Sequence, residues 1–549
     1  VATISEVKTP EPESERGRIA RAAGLISGFT LVSRLFGLVR ESVFAALVGA
    51  GYHSDAFRIG FRIPNLLRDL FAEGALSAAF VPTYVRAAKE RGSEGGFQLA
   101  NRVLTFLVVV LSVLVALGVV FAHFIVVRIA PGFEASPGKV DLTVLLTQVM
   151  MPFLPLVSFA AVAMGMLNAE ERFGPPALSP ALFNVVTIGI GAVLWAMKLP
   201  PDQVVLGWAL ATLVGGLAQF LVQVPALWRS GWRFRPDWAP RDPALREMGR
   251  LMAPATVGLA AVQVNIFVNS WFASHDPGAV SWLDCAFRLL YLPIGLFGVA
   301  LGTIATAGLA RRAAESDTDG LRRTLRQTLS MLAYLTVPAS VGLLAVGVPV
   351  VRLIYEHRRF TTWDTRATAA ALSLYALGLV GYTGVKVLAP AFYALGRPRV
   401  PLLASASAVI TNVIVVLALF PSFSYGAIAL GTALGSLGNV SILFAAFERR
   451  VGGLFGSGLF RGIARMLPAA AAMGVVSWGL AALLERTMGT HGAAAQLATG
   501  LVPVAAGVGV YGLLTHAMRV EEADALWGLL RRGLRRSGAP AATAGGERA

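Results

Sequence analysis

Arginines set inside apolar stretches are the residues of this 549-residue chain best placed to do chemistry. The first such stretch, GLISGFTLVSRLFGLVRESVFAALVGAG, holds Arg34, Arg40 and Glu41. On a helix starting at Ala22, Arg34 stands roughly 18 Å along the axis, well inside hydrocarbon. The second, SDAFRIGFRIPNLLRDLFAEGALSAAFVP, adds Asp55, Arg58, Arg62, Arg68, Asp69 and Glu73. Further on, SWLDCAFRLLYLPIGLFGVALGT places Asp284 and Arg288 one helical turn apart, and GYTGVKVLAPAFYALG contributes Lys386. An arginine at mid-bilayer costs at least about 2.5–3.5 kcal/mol on insertion scales, so such groups face water, a partner or a ligand. Guanidinium groups offer paired donors to phosphoryl oxygens, so several arginines converging from different helices suit a phosphate-bearing substrate. A neutral or cationic substrate would not need them. Asn265 and Asn269 add amides able to bond sugar or peptide groups.

Each group also has a structural use. Arg34 and Glu41, seven residues apart, fall near one helix stripe and can pair, with Arg40 reaching outward to the nearer interface. A bend at Ser27-Gly28 or Gly37 would turn Arg40 inward instead. Gly60 and Pro64 make the second span irregular, as in a helix lining water. The charges from Arg68 to Glu73 can stitch its cytoplasmic end. Asp284 and Arg288 can pair with each other, Lys386 can tie two helices, and the asparagines can join packed helices.

The elements that hold these groups must be membrane helices. Hydrophobic residues make up 56% of the chain and mean hydropathy is +0.66. Many stretches exceed the ~20 apolar residues that cross a bilayer. Strands would expose their edges to lipid, whereas helices satisfy their own backbone groups. The expectation is an all-α integral membrane protein of about fourteen transmembrane helices, beginning near 22, 54, 102, 141, 176, 203, 247, 280, 323, 366, 400, 425, 462 and 494.

Alternate loops differ in charge. One set carries Arg86, Lys89 and Arg91, then Arg229, Arg233, Arg235 and Arg241, then Arg311, Arg312, Arg322 and Arg323, then Arg449 and Arg450. By the positive-inside rule these are cytoplasmic, and so are both termini. The opposite loops (GAGYHSD, KLPPDQ, SHDPGAVS, PSFS) are nearly uncharged, with the loop around Arg352, Arg358 and Arg359 as the main exception. The net charge of +16 therefore orients the chain rather than binding nucleic acid. Residues 1–20 form a polar, disordered cytoplasmic tail with no apolar signal segment. In 519–549, Trp527 beside Arg531, Arg532, Arg535 and Arg536 marks an interfacial helix, followed by a disordered end.

The chain also repeats at an offset of about 224 to 229 residues. Asp55 with Pro64 is echoed by Asp284 with Pro293, Val127-Arg128 by Val351-Arg352, Ala169 with Pro176 by Ala394 with Pro401, and Asn184 by Asn412. This implies two parallel six-helix lobes, 21–230 and 246–450, joined by a cytoplasmic linker at 231–245. Two further helices in 451–518 lie outside the repeat. Such lobes enclose a central cavity and rock about it.

Other chemistry is excluded. The lone Cys285 permits neither a disulfide nor a cysteine metal site. GFEASPGKVD misses the P-loop spacing by one residue and has valine after Lys139, so no ATP site is expected. His53, His123, His275, His357, His491 and His516 lack metal-ligand spacing, and no cofactor is expected. Coupling to an ion or to the membrane potential stays open, with Asp55, Glu41 and Asp284 as the candidate carboxylates.

The stretch SRLFGLVRESVFAALVGAGYHSDAFRIGFRIPNLLRDLFAEGALSAAFVP strongly resembles the MurJ (MviN) family of lipid II flippases, within the multidrug/oligosaccharidyl-lipid/polysaccharide exporter superfamily. VSWLDCAFRLLYLPIGLFGVALGT, RRFTTWD and VKVLAPAFYALGRPRVP extend the resemblance through the twelfth span. It implies a transporter, not an enzyme, in the bacterial cytoplasmic membrane. The implied substrate is the undecaprenyl-diphosphate-linked disaccharide-pentapeptide, moved from the cytoplasmic to the outer leaflet. It further implies essential roles for Arg34, Arg40, Arg68, Arg288 and Asp55, with the diphosphate at Arg40, Arg68 and Arg288. A lipid-tail groove is implied in about 460–518, and other cell-wall synthesis proteins as partners beside membrane lipids. Glu41, Asn269 and Asp284 complete the expected binding set.

The chain departs from the family at Phe287, Tyr291 and Glu41, where many relatives have Asp, Glu and Asp; this bears on ion coupling and cavity detail. An exporter of another polyprenyl-linked oligosaccharide or of drugs shares the superfamily fold. A membrane glycosyltransferase would need catalytic acids in a sizeable outer loop, and these loops are short. A non-transporting scaffold would have no use for the buried charge.

Overall fold

The computed structural model describes residues 32–69, 75–524 and 526–528, without the side chains of 75, 77–78, 253–262 and 457. Glu73, the tail at 1–20, the bend at Ser27-Gly28 and nearly all of the expected basic terminal helix lie outside the described residues. Those described hold no strand. Helix starts follow the apolar runs to within about five residues, except that the helix expected near 102 begins at Ala75 and the expected start near 22 lies outside the described residues. Ten helices are long and apolar enough to cross a membrane, or eleven if the pair bent by 43° near residue 377 is one span. The expected count of fourteen is not reached by that measure: the first helix is described from residue 32 only, the second has 17 residues and four charges, and the helix Pro243–Ala273 is not among the ten.

The chain divides into two compact units, Val1–Cys285 with Ile354–Asp364, and Ala286–Leu353 with Thr365–Ala549. Helix packing explains this division.

The first unit contains α1 (32–48), α2 (Tyr52–Arg68), α3 (Ala75–Val120, broken at Gly92), α4 (Ala122–Ile129), α5 (Lys139–Met150) and α6 (Phe153–Ala169). It continues through α7 (Gly174–Met197), α8 (Pro201–Leu221), α9 (Val224–Arg229) and α10 (Pro243–Ala273) into the start of α11 (Ala279–Pro293). One core joins α3 to α6 through Phe80, Tyr84, Val103, Leu154, Val162 and Met166. Met248 of α10 is buried in that same core, which draws α10 into this unit. A second core joins α1, α2, α5 and α8: the Phe44 ring lies 4.8 Å from Phe57 and 5.3 Å from Trp208. That aromatic cluster fixes the rotation of α1 against α2, and with it the direction of their charged side chains.

The second unit continues α11 through a π-helical turn, Ile294–Val299, into α12 (Ala300–Ala314). It then comprises α13 (Thr318–Tyr355), which enters the first unit after Leu353, α14 (Thr362–Ala376), α15 (Leu379–Ala394), α16 (Arg399–Phe423), α17 (Tyr425–Arg450), α18 (Leu459–Met488) and α19 (Ala493–Ala517). Small residues let these helices approach closely: a Cβ on Gly435 of α17 would stand 2.6 Å from the Ala408 carbonyl oxygen of α16. α18 and α19 pack on α13, where the Tyr511 hydroxyl donates to the Tyr334 carbonyl at 3.0 Å.

Candidate functional site

Two charged centres lie inside the first unit. One surrounds Asp55, in the first turn of α2 and fully buried. Its carboxylate accepts the Lys139 ammonium at 2.9 Å, the Gly278 backbone N–H at 3.0 Å, the Ser281 backbone N–H at 3.0 Å and the Ser281 hydroxyl at 2.6 Å. The backbone donors belong to the first turn of α11, so Asp55 caps that helix from outside it and meets the positive end of its dipole. The Lys139 ammonium also sits 4.0 Å from the centre of the Phe133 ring. Each charge is thus neutralised, as burial demands.

The other centre starts one helical turn on, at Arg58, whose side chain is 4% exposed and lies over the Phe44 ring. Arg58 donates to Asp284 and to the Cys285 sulfur, and stands 3.6 Å from Glu41. Arg62, a further turn along α2, stands 3.7 Å from Asp284 and donates to the Ser270 hydroxyl at 2.5 Å. Arg40 donates to Glu41 at 2.8 Å and stacks over Phe183 of α7. Three guanidinium groups are thus gathered around Glu41 and Asp284. Arg40, Arg62 and Asp284 keep side-chain exposures of 17%, 25% and 23%, so the centre is open to a ligand where the Asp55 centre is closed.

The structure corrects several pairings expected from spacing. Glu41 pairs with Arg40 and Arg58, not with Arg34; Arg34 is half-buried and makes no ion pair with a described residue. Arg40 reaches Glu41 without a bend at Gly37, because α1 is helical without interruption from 32 to 48. Gly37 instead admits Asn184 of α7, whose amide donates to the Ser33 carbonyl at 3.0 Å. Asp284 meets Arg58 and Arg62 of α2, partners that spacing within its own helix does not predict. Asp55 is closed off from any ligand in this arrangement by its four donors. Arg68 ends α2 with two hydrogen bonds to Asp69, at 2.8 and 3.2 Å. Asn269 is half-buried on α10, beside Ser270. Lys386 is exposed on α15 and ties no helix to a carboxylate among the described residues.

In the second unit Arg288 is half-buried on α11. Phe287 packs edge-on against Tyr375 at 5.4 Å and Tyr382 at 6.0 Å, forming an aromatic wall. No group of His, Cys, Asp and Glu able to hold a metal occurs among the described residues.

Sequence reasoning gave Lys139 no role beyond a failed P-loop and left Arg58 out of the expected binding set. A lysine at the head of an apolar span, with an aspartate at the head of another, was the available signal. RRFTTWD also acquires a reason: Asp364 accepts the Thr361 N–H and hydroxyl at 2.9 and 2.8 Å, capping the start of α14, and accepts the Trp282 indole N–H at 2.9 Å.

A family model described as lipid II flippase MurJ matches residues 44–498. The lipid II flippase MurJ of Burkholderia cenocepacia is 34% identical over 435 residues, covering 78% of this chain and 84% of that protein. The probable lipid II flippase MurJ of Rhizobium tropici is 32% identical over 515 residues, covering 93% and 96%. Among solved structures, a lipid II flippase MurJ in an inward closed conformation overlays with a TM-score of 0.73 at 23% identity, covering 90% of this chain and 98% of that one. An inward-facing multidrug resistance MATE family transporter overlays at 0.64 and 16% identity, covering 77% and 96%.

Proposed function

The chain belongs to the MurJ lipid II flippase family, and from that premise we propose that it carries lipid II from the cytoplasmic to the outer leaflet of a bacterial cytoplasmic membrane by alternating access. Both termini face the cytoplasm in this reading, on the strength of the basic loops. The observation that carries it is the gathering of Arg40, Arg58 and Arg62 around Glu41 and Asp284 on three helices, with Arg40, Arg62 and Asp284 partly exposed.

A lipid diphosphate needs bidentate donors that water cannot replace, supplied where the local dielectric is low. The guanidinium groups here are held by Glu41 and Asp284, so a diphosphate binds by exchange: it takes donors from the carboxylates. The carboxylates retake them on release. Exchange keeps the arginines paired in both states and prevents the product from being trapped, because each guanidinium trades one anion for another. Arg40 is the principal contact. Arg34 and Arg68 supply further positive charge along α1 and α2, Asn269 an amide for the sugar or peptide part, and Arg288 of the second unit is a separate candidate with a separate test. Asp55 acts as a structural fastener.

The lipid tail is assigned to 451–518. In support, a cleft of about 440 Å³ in the second unit is lined by Leu344 and Val348 of α13 and by Trp478 and Ala481 of α18, with Arg366 and Glu485 as its charged groups. Val475, Leu497, Leu501 and Val508 are exposed on α18 and α19.

The test is rescue of cells depleted of their own flippase, with lipid II accessibility measured leaflet by leaflet. Arg40→Ala and Arg288→Ala should reach the membrane at normal levels yet fail to restore outward appearance of lipid II. Normal rescue by both would refute the arginine assignment. No change in outward lipid II with the unaltered chain would refute flipping itself.

A further inference from the structure

Among loops otherwise poor in charge, the one holding Arg358 and Arg359 stands out, and the tertiary structure gives it a setting. At the end of the first unit where α7 stops and α8 starts lies a cleft of about 450 Å³. Leu47, Leu194 and Val204 give it an apolar floor, while Lys198, Arg358 and Arg359 line it with three cations. No carboxylate lines this cleft, and none of the three cations pairs with a carboxylate among the described residues. Three like charges gathered without a counter-ion repel one another, so the arrangement carries a cost that an anion would remove.

The cleft is also built with some conformational strain. Lys198 and Arg358 hold φ of 52° and 53°, the left-handed region that side chains with a Cβ rarely adopt. Gly49, at φ 79°, lets the loop close in, since a Cβ there would stand 2.7 Å from the Arg359 carbonyl oxygen. The Arg358 guanidinium lies 4.1 Å from the centre of the Trp195 ring. Stacking of that kind fixes the plane of the fork and leaves its in-plane N–H groups directed at a ligand. Location identifies the ligand further. Trp195 and Lys198 sit at the end of Gly174–Met197, a helix apolar enough to cross the membrane, so the cleft lies at headgroup depth. Val193 and Met197 on the same helix are exposed, and offer a track for an acyl chain.

We propose that this cleft binds an anionic, phosphate-bearing lipid headgroup: Arg358 and Arg359 hold the phosphate oxygens, Lys198 adds charge and the acyl chain runs along α7. The site is distinct from the Arg40 centre and rests only on the chain being a membrane protein, so it stands or falls apart from the flipping assignment.

The experiment is native mass spectrometry of the full chain in neutral detergent, titrated with phosphatidylglycerol, diacylglycerol or inorganic phosphate. The unaltered protein should retain phosphatidylglycerol and not diacylglycerol. The triple variant Lys198→Gln, Arg358→Gln, Arg359→Gln should bind phosphatidylglycerol about tenfold more weakly or worse, as expected for losing charge-assisted hydrogen bonds. Should the triple variant unfold, Arg359→Gln alone, an exposed position, should still weaken retention roughly threefold. Equal retention by unaltered and altered proteins would overturn the proposal. Displacement of the lipid by inorganic phosphate would overturn it in favour of a soluble-anion site.

Discussion

The Asp55 and Arg58 centres lie one turn apart on α2, hold similar groups and do opposite things with them. Around Asp55 every acceptor position is filled, one lysine balances one carboxylate, and solvent is excluded. Around Arg58 three guanidinium groups share two carboxylates and three of the five side chains reach the surface. A saturated, neutral centre has nothing left to offer a ligand and is worth its desolvation cost only as a fastener. A partly exposed, arginine-rich one is a poorer fastener and a better anion receptor. Ionisable residues inside a membrane span are therefore not one class: their accessibility to a ligand separates structural from functional members.

The largest effect should come from Asp55→Ala. It strands Lys139 in a dry environment and uncaps α11, costing about 3–5 kcal/mol as for other broken buried pairs. Thermal unfolding in detergent measures it, and a melting point equal to the unaltered protein's would remove the fastener from the comparison. The pair Asp55→Asn with Lys139→Met should melt above either single change, because removing both charges removes the stranded one.

Arg58→Ala should rank next. It leaves Glu41 and Asp284 facing each other with less positive charge, so both stability and rescue should fall; loss of one without the other would show that the centre has a single role. Arg40→Ala should sharpen the contrast, with rescue abolished and stability changed by no more than about 1 kcal/mol, as for a partly exposed ion pair. Arg40→Lys should restore charge but not the fork, giving rescue between the two. The smallest effect belongs to Asn184→Ala, which removes one hydrogen bond to α1 and should cost about 1 kcal/mol with rescue intact. A larger loss of rescue would mean that the α1–α7 contact sets the direction of Arg40.

The order and approximate starts of the helices were legible because each apolar run declares its own length and each basic loop its own boundary. The charged residues of α1, α2 and α11 were legible for a related reason: burial cost makes an arginine conspicuous in an apolar segment, whatever it touches. The family resemblance followed from local motifs.

Partner choice was not legible. Helical periodicity places Glu41 on the stripe of Arg34, yet Glu41 pairs with its neighbour Arg40 and stands 3.6 Å from Arg58 of α2, and Asp284 meets two arginines of α2, since contacts between helices depend on the rotation imposed by Phe44, Phe57 and Trp208. Lys139 looked like a remnant of a nucleotide loop until the fold brought it within 2.9 Å of Asp55, 84 residues away. The sequence by itself determined that this chain is a helical membrane protein with charge where charge is expensive. Only tertiary structure decided which of those charges are neutralised and which remain available, because neutralisation is set by distances between helices that no local pattern encodes.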